Sequence, residues 1–423
     1  MSSNVLTKKI VFSCFLASCL EIYDFAIFGF LTTTIHKNYL SFLDEKTALI
    51  ATYAFFAVGF VFRPLGSLIF GYIGDVHGRK KALVASVSMM GIASFLMFIL
   101  PSYTVIGVLS CYIIILVRII QGVSVGGEFT GAIIFAIEHS KNNNAGLVAG
   151  IVSAGGACGV MLANLVSKLL QHPSLPDYSW RFAFLLGFAL ALVGYFVRQK
   201  LTDTPLFKKT NSNKIPLFEG LKKFKLESFA TLWVAAANGA IFYFGTVYLV
   251  KLVHDTRQDL DSSFIPILVA SVVAIGLPIF GMISDKLNRK LFLILSSIAM
   301  GIYSLVALNL IVNAQSIYTL SLFVFFYALL AAIMISSINI FAIEIFPVAY
   351  RMSCCSLFYS LGMGLIGGTI PMVSSYIIKN IGADISYLGC YIACICFLAS
   401  ISVFLVYLKQ RKPSDFVIVG TNK

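Results

Sequence analysis

The sequence predicts an all-α integral membrane protein of twelve membrane-spanning helices, arranged as two related six-helix halves. Three observations predict it. Of 423 residues, 59% are hydrophobic and only 12% charged, with a mean hydropathy of +0.92. A soluble domain carries roughly twice that charged fraction and cannot hide so much apolar surface in one core. The apolar residues gather in runs of about 20 or more, the length that crosses a bilayer core. A pattern of glycines, an acid and basic residues near Asp75 also recurs about half a chain later.

The runs fall at 9–34, 47–74, 81–101, 105–137, 146–171, 180–200, 227–253, 263–284, 290–313, 316–343, 353–380 and 385–409. They are apolar on all sides, which excludes the alternating strands of an outer-membrane barrel; the longer ones imply tilt. The first run follows Lys8 and Lys9 as a signal peptide would. It continues through Glu21 and Asp24 to about Leu31 without a small-x-small cleavage site, and reads as a retained helix. Basic residues set the orientation. Lys8-Lys9, Arg79-Lys80-Lys81, the stretch from Arg198 to Lys225, Lys286-Arg289-Lys290, Arg351 and Lys409-Arg411-Lys412 outnumber Lys37, Lys46 and Lys251 on the other side, placing both termini in the cytoplasm. The one long polar connection, carrying Lys208, Lys209, Lys214, Lys222, Lys223 and Lys225, divides the chain. The expected organisation is an N-terminal bundle (1–200), a cytoplasmic linker (201–226), a C-terminal bundle (227–410) and a short tail (411–423).

The net charge of +13 is no nucleic-acid footprint, because the basic residues sit between apolar runs and orient the chain. The linker lysines suit anionic lipid heads. The nine cysteines, Cys14, Cys19, Cys111, Cys158, Cys354, Cys355, Cys390, Cys394 and Cys396, lie almost all within apolar runs and read as small packing residues. No zinc spacing, Ser/His/Asp set or phosphate loop is present at a plausible location, so neither a metal, a cofactor nor an enzyme is expected.

The repeat is the most informative feature. Gly71-Tyr72-Ile73-Gly74-Asp75-Val76-His77-Gly78-Arg79-Lys80 recurs as Gly281-Met282-Ile283-Ser284-Asp285-Lys286-Leu287-Asn288-Arg289-Lys290, each copy ending the second helix of its half. Phe135-Ala136-Ile137-Glu138 recurs as Phe341-Ala342-Ile343-Glu344 after the fourth. Repeated halves are the architecture of alternating-access carriers. The glycines permit close helix approach, Asp75 can accept from amides at another helix's N-terminus, and Arg79 can pair with a carboxylate such as Glu138. Such contacts would latch the halves in one state.

With Arg63-Pro64-Leu65-Gly66 upstream, this motif resembles that of the major facilitator superfamily. Further stretches are similar to its metabolite:proton symporter branch: Glu21-Ile22-Tyr23-Asp24-Phe25, Arg118-Ile119-Ile120-Gln121-Gly122, Gly126-Gly127-Glu128, Trp180-Arg181, Thr204-Pro205-Leu206-Phe207, Glu344-Ile345-Phe346-Pro347 with Arg351, and Gly367-Gly368-Thr369-Ile370-Pro371. The resemblance spans nearly the whole chain. Four positions depart from the pattern. Asp203 stands where a glutamate is usual before Thr204-Pro205, a small change. Asn288 replaces a glycine, so the second turn is expected to be looser. Ser360 stands near an expected asparagine, and Ala145 leaves Glu138 without the arginine that Glu344 has in Arg351.

Charges within lipid-length helices are the functional centre by default. Glu21, Asp24, Arg63, Arg118 and Glu128 are five such residues. Glu21 lies about 18 Å along its helix from Lys9 at about 1.5 Å per residue. Three acids with two arginines leave a net negative charge, so one carboxyl has to hold a proton reversibly. Glu21, Asp24 and Glu128 are the proton-site candidates; Arg63, Arg118, Gln121 and Tyr23 are the solute-binding candidates. Gly71, Asp75, Gly78, Arg79, Lys80, Glu138, Asp285, Arg289, Glu344 and Arg351 form the expected gate. The second half offers no such charge, only aromatic and polar contacts such as Phe242, Tyr243 and Tyr359.

The expected function is import of a small polar metabolite with protons by a monomeric unit in the cell's inner, cytoplasmic membrane. A zwitterion of the proline or betaine kind comes first, a di- or tricarboxylate second. A non-transporting sensor would call for an appended signalling domain, and an amphiphile antiporter for a proline in the glycine-rich fifth helix; neither is present in this sequence.

Overall fold

The computed structural model describes residues 3–140, 144–204, 216–257, 259–260, 262, 264–380 and 385–409. The linker residues Pro205, Leu206, Phe207, Lys208, Lys209 and Lys214, and the tail with Arg411 and Lys412, lie outside the described residues. Among the described residues, twelve helices are long and apolar enough to cross a membrane: α1 (Lys8–Phe30), α2 (Ala54–Val76), α3 (Arg79–Ile99), α4 (Leu109–His139), α5 (Ala145–Leu170), α6 (Ser179–Gln199), α7 (Lys225–Thr256), α8 (Ile265–Ser284), α9 (Arg289–Val312), α10 (Ile317–Glu344), α11 (Arg351–Ile378) and α12 (Ser386–Lys409). No strand occurs among the described residues.

The irregularities have local causes. The first apolar run divides at Leu31 into α1 and a short helix, Thr32–Tyr39. The second divides at Phe62, where Glu45–Val61 ends and Arg63–Val76 begins. Pro64 sits in the first turn of the new segment, where its missing N–H leaves no intrahelical bond unmade. The fourth run breaks at Gly107, whose φ of 59° interrupts the helix before Leu109. Single wide turns, Phe244–Tyr248 in α7 and Leu361–Gly367 in α11, loosen these two helices at corresponding places in the second half.

Helices α1–α6 pack among themselves, as do α7–α12, and the halves meet chiefly through α5 against α8 and α2 against α11. The glycines make these contacts close. A Cβ on Gly146 would strike the Gly281 carbonyl oxygen, one on Gly281 the Gly146 carbonyl, and one on Gly150 the Leu277 carbonyl. On the opposite face of α5, Gly155 and Gly159 approach the α1 backbone at Phe15 and Cys19. Apolar side chains such as Ile275 and Met372, 67% and 68% exposed, turn outward. This exposure suits lipid, which is as apolar as they are.

A β-branched side chain on α5 would have to push the α5 and α8 backbones away from each other. We expect Gly150→Val to destabilise the protein by about 1–3 kcal/mol through overpacking, read as a lowered thermal unfolding midpoint in detergent. An unchanged midpoint would show that the α5–α8 contact is not close.

Candidate functional site

Glu21 and Asp24 are three residues apart on α1, about 60° around a helix of 3.6 residues per turn, and that angle sends them to different neighbours. Glu21, fully buried, faces α2. Arg63, held at the start of the second α2 segment, brings Nη2 to 3.6 Å from its Oε1. Arg63 Nη1 also donates to the Tyr243 hydroxyl on α7 at 3.3 Å, so this guanidinium spans the two halves. The Phe25 and Phe60 rings flank it, with centroids 5.9 and 6.0 Å away. Both Glu21 oxygens and Arg63 Nε lack a hydrogen bond among the described residues.

Asp24 instead turns inside the first half. The Ser94 hydroxyl of α3 donates to it. Gly187 of α6 leaves the room, since a Cβ there would strike Asp24 Oδ1. No cation lies within ion-pairing distance of Asp24 among the described residues, although the Arg118 charge acts on it from beyond that reach. Arg118 is fully buried in an aromatic cage, its guanidinium 4.5, 4.4 and 5.3 Å from the Phe25, Phe28 and Phe56 rings. Its donors go to the Phe55 carbonyl at 3.3 Å, the Phe56 carbonyl at 3.1 Å and Gln121 Oε1 at 2.9 Å. Gln121 Nε2 has no partner there. Tyr23 points away from the interface and donates to the Ala183 carbonyl at 2.7 Å.

Glu128 changes the charge balance. Arg198, in the last turn of α6, places Nη1 2.5 Å from Glu128 Oε1 and also donates to the Leu83 carbonyl at 2.7 Å; Ser86 donates to the same carboxylate. Read from sequence, Arg198 is an orienting charge at the head of the linker; it is in fact 2% exposed. Glu21, Asp24 and Glu128 are thus matched by Arg63, Arg118 and Arg198. The expected surplus of negative charge does not exist, and the need for a protonated carboxyl that rested on it falls. The signal was an arginine within the last turn of an apolar helix, before the polar stretch begins.

The second half contributes a neutral network. Asn238 of α7 donates to the Tyr359 hydroxyl at 2.6 Å, Tyr359 donates to Asn339 Oδ1 at 2.8 Å, and Asn339 Nδ2 reaches Ser153 on α5 at 2.8 Å. Asn238 and Asn339 had no sequence signal beyond being polar in apolar runs. Phe242 packs beside Tyr243, centroids 5.8 Å apart. Two hydroxyl pairs also cross the interface, Thr130 with Ser356 and Ser67 with Ser360, each at 2.6 Å. Ser360 therefore faces α2 rather than a solute.

At one end of the bundle the repeated motifs interlock. Asp75 accepts from the Met352 and Ser353 amides at 3.2 and 2.8 Å, at the N-terminus of α11. Asp285 accepts from the Gly146 and Leu147 amides at 2.7 and 3.0 Å, at the N-terminus of α5. Gly71 lets α2 this close, since a Cβ would come within 2.8 Å of Ser353 Cα. Arg79 lies 2.5 Å from Asp75 and 3.6 Å from Glu138, and donates to the Val348 carbonyl at 2.7 Å. Arg289 pairs with Asp285 at 2.5 Å and with Glu344. Two expectations are corrected. Arg351 pairs with Glu138 across the interface at 3.3 Å, so Glu138 has its arginine and Glu344 uses another. Asn288 does not loosen its turn: Gly78 needs its φ of 112°, whereas Asn288 takes an ordinary φ of −69° and caps α9 through the Leu291 amide. Lys80 stands apart from the latch, donating to the Gln199 carbonyl at 2.7 Å, while Asp203 accepts from its amide at 3.4 Å.

Comparison with known proteins agrees with this architecture. The family described as Sugar (and other) transporter matches residues 10–235, and the Major Facilitator Superfamily matches residues 258–420. A putative proline/betaine transporter of Staphylococcus haemolyticus is 28% identical over 401 residues, 90% of this chain and 84% of that one. The proline/betaine transporter of Escherichia coli is 26% identical over 398 residues, 88% of this chain and 78% of that one. Among solved structures, the proton:xylose symporter XylE bound to 6-bromo-6-deoxy-D-glucose superposes with a TM-score of 0.77 at 17% identity, covering 95% of this chain and 96% of that one. The human organic anion transporter MFSD10 gives 0.72 at 14% identity, over 94% and 99%. The chain belongs to the major facilitator superfamily of multi-pass membrane transporters.

Proposed function

We infer that this transporter imports a small zwitterion or carboxylate, proline- or betaine-like before di- or tricarboxylate, together with protons, by alternating access across the cytoplasmic membrane. The observation that carries the reading is the Glu21–Arg63 pair: buried at mid-depth, under-bonded, and joined to the other half through Tyr243. An ion pair so placed costs several kcal/mol of desolvation, and a solute that engages it acts on both halves at once. The names of the sequence relatives supply the solute class.

On this reading Asp24 carries the proton. It has a single hydroxyl partner and no ion pair, so gaining or losing a charge there breaks no bridge. Glu128 has a brace role with Arg198 instead. The interlocked end, with Asp75 on α11 and Asp285 on α5, is the closed cytoplasmic gate. Two carboxylates accepting from helix N-termini are favoured by the helix dipole, and they release when the halves rock apart.

Purified protein in liposomes with an imposed pH gradient should accumulate labelled proline or betaine, tested beside citrate, 2-oxoglutarate and shikimate; uptake indifferent to the gradient rejects proton coupling. Arg63→Ala should abolish uptake while the protein stays folded, and normal uptake would remove Arg63 from the site. Asp24→Asn should keep exchange of labelled for unlabelled solute but lose accumulation driven by the gradient; accumulation at the normal level would acquit Asp24. The gate has its own readout, because Cys354 and Cys355 lie fully buried in the first turns of α11. Asp75→Asn removes hydrogen bonds to a charged acceptor, each about 1.5–3 kcal/mol. Both thiols should therefore label with a permeant maleimide about tenfold faster or more; an unchanged rate would mean that Asp75 does not hold the gate.

A further inference from the structure

Two buried acid–arginine pairs of the first half, Glu128 with Arg198 and Glu21 with Arg63, are built differently. Glu128 and Arg198 meet at 2.5 Å, with Ser86 on the carboxylate and the Leu83 carbonyl on the guanidinium, while Arg198 Nε and Nη2 have no partner among the described residues. Glu21 and Arg63 stand 3.6 Å apart, with neither Glu21 oxygen hydrogen-bonded and Arg63 Nε idle, although their side chains are 0% and 4% exposed. A buried polar group left without a hydrogen bond costs about 1–3 kcal/mol, more when charged. A pair that keeps such capacity unused at the meeting of two halves is arranged for a third party.

We propose that Glu21 and Arg63 each bind one charge of a zwitterionic solute, the carboxylate on Arg63 and the cationic group on Glu21, so that the solute replaces their contact with each other. This rests on the transporter reading above and gives Glu21 a recognition role rather than a proton-carrying one.

Charge and geometry both select this class. Glu21 and Arg63 together already sum to zero, so a net-neutral solute leaves the pair neutral. A dianion would bring two uncompensated charges. Of the three guanidiniums, Arg63 is the one that reaches the other half, through Tyr243: Arg118 is closed in by Phe25, Phe28 and Phe56 with its donors on Phe55, Phe56 and Gln121, and Arg198 sits in the last turn of α6, 2.5 Å from Glu128. Arg63 can offer the carboxylate two parallel N–H groups. Glu21 meets the cation by charge alone, and the Phe25 and Phe60 rings beside Arg63 present π faces that attract cations without needing an N–H donor. A fully methylated ammonium and a secondary one therefore satisfy the site equally. A monocarboxylate leaves Glu21 buried without a partner; a cation alone does the same to Arg63.

The test uses the purified full chain in detergent and the thermal unfolding midpoint with added proline, glycine betaine, N-acetylproline (carboxylate without cation), prolinamide (cation without carboxylate) or citrate. Proline and betaine should raise the midpoint of the wild type and the other three should not. Glu21→Gln should weaken proline and betaine by more than about 100-fold, as expected for stranding a buried charge, while N-acetylproline gains affinity for the released Arg63. Glu21→Asp, which keeps the charge, should retain the zwitterion preference, so a misfolded Gln variant does not decide the matter. The proposal is overturned if N-acetylproline or citrate stabilises the wild type as proline does, or if a folded Glu21→Gln keeps its preference for zwitterions. Gradient-driven uptake of a carboxylate but of no zwitterion would sink this inference and spare the symport reading. Uptake of nothing on the liposome panel would remove the reading itself.

Discussion

Charge buried in a medium that cannot solvate it has to be answered within the protein, and this constraint organises the first half of the molecule. Glu21, Asp24 and Glu128 are buried within its spans together with Arg63, Arg118 and Arg198, and each of these arginines is fixed in a different way. Arg198 has a tight acid, Arg118 has carbonyls and ring faces, and Arg63 has a distant acid and a tyrosine from the other half. The pair that stands farther apart, Glu21 with Arg63, is the one that touches the other half.

The two ends of the depth range use different chemistry. Beside the Arg63–Tyr243 bond, the halves are joined at mid-depth by neutral contacts: the Thr130–Ser356 and Ser67–Ser360 hydroxyls and the Asn339–Ser153 bond. Neutral hydrogen bonds contribute about 1 kcal/mol each in net terms, so a sliding interface loses little by exchanging them. At the latched end the contacts are carboxylates on helix N-termini, backed by Arg79, Arg289 and Arg351. These are stronger individually, and they are related by the internal repeat. A carrier built this way has a firm closure at one end and a compliant middle, which is what the proposed alternation requires.

Much of this was legible in the sequence, for reasons that differ by level. The twelve spans follow from run length alone, because lipid tolerates nothing shorter. The duplicated motif located Asp75, Arg79, Asp285, Arg289, Glu138 and Glu344, since its spacing fixes them at helix ends. The pairing of Arg351 with Glu138 was not legible. Sequence symmetry couples Glu344 to Arg351 within one half, whereas the two-fold arrangement carries Arg351 across to the other. Arg198 was lost because a basic residue at the end of a span reads as an orienting charge; only its contacts with Leu83 of α3 and Glu128 of α4 show it turned inward. Glu21 and Asp24 were grouped because residues three apart on a helix are easily assigned to one face, yet the structure directs Glu21 to Arg63 and Asp24 to Ser94. Asn238 and Asn339 lay unmarked because a lone amide in an apolar run has no partner visible along the chain.

The asymmetry between the halves follows from the same economy of charge. The first half holds Glu21, Asp24, Arg63, Arg118 and Glu128 away from the ends of its spans, and the second holds no buried charge so placed among the described residues, only Asn238, Asn339, Tyr243 and Tyr359. Had each half carried one member of an ion pair, separating them would strand both charges in low dielectric, a loss of about 3–5 kcal/mol by removal of a partner. Keeping Glu21 with Arg63 on one half, and giving the other half only a tyrosine hydroxyl to offer, lets the halves separate without that penalty. The second half can then sense whether Arg63 is occupied through a single hydrogen bond from Arg63 to Tyr243, whose loss is small enough to be reversed in every cycle.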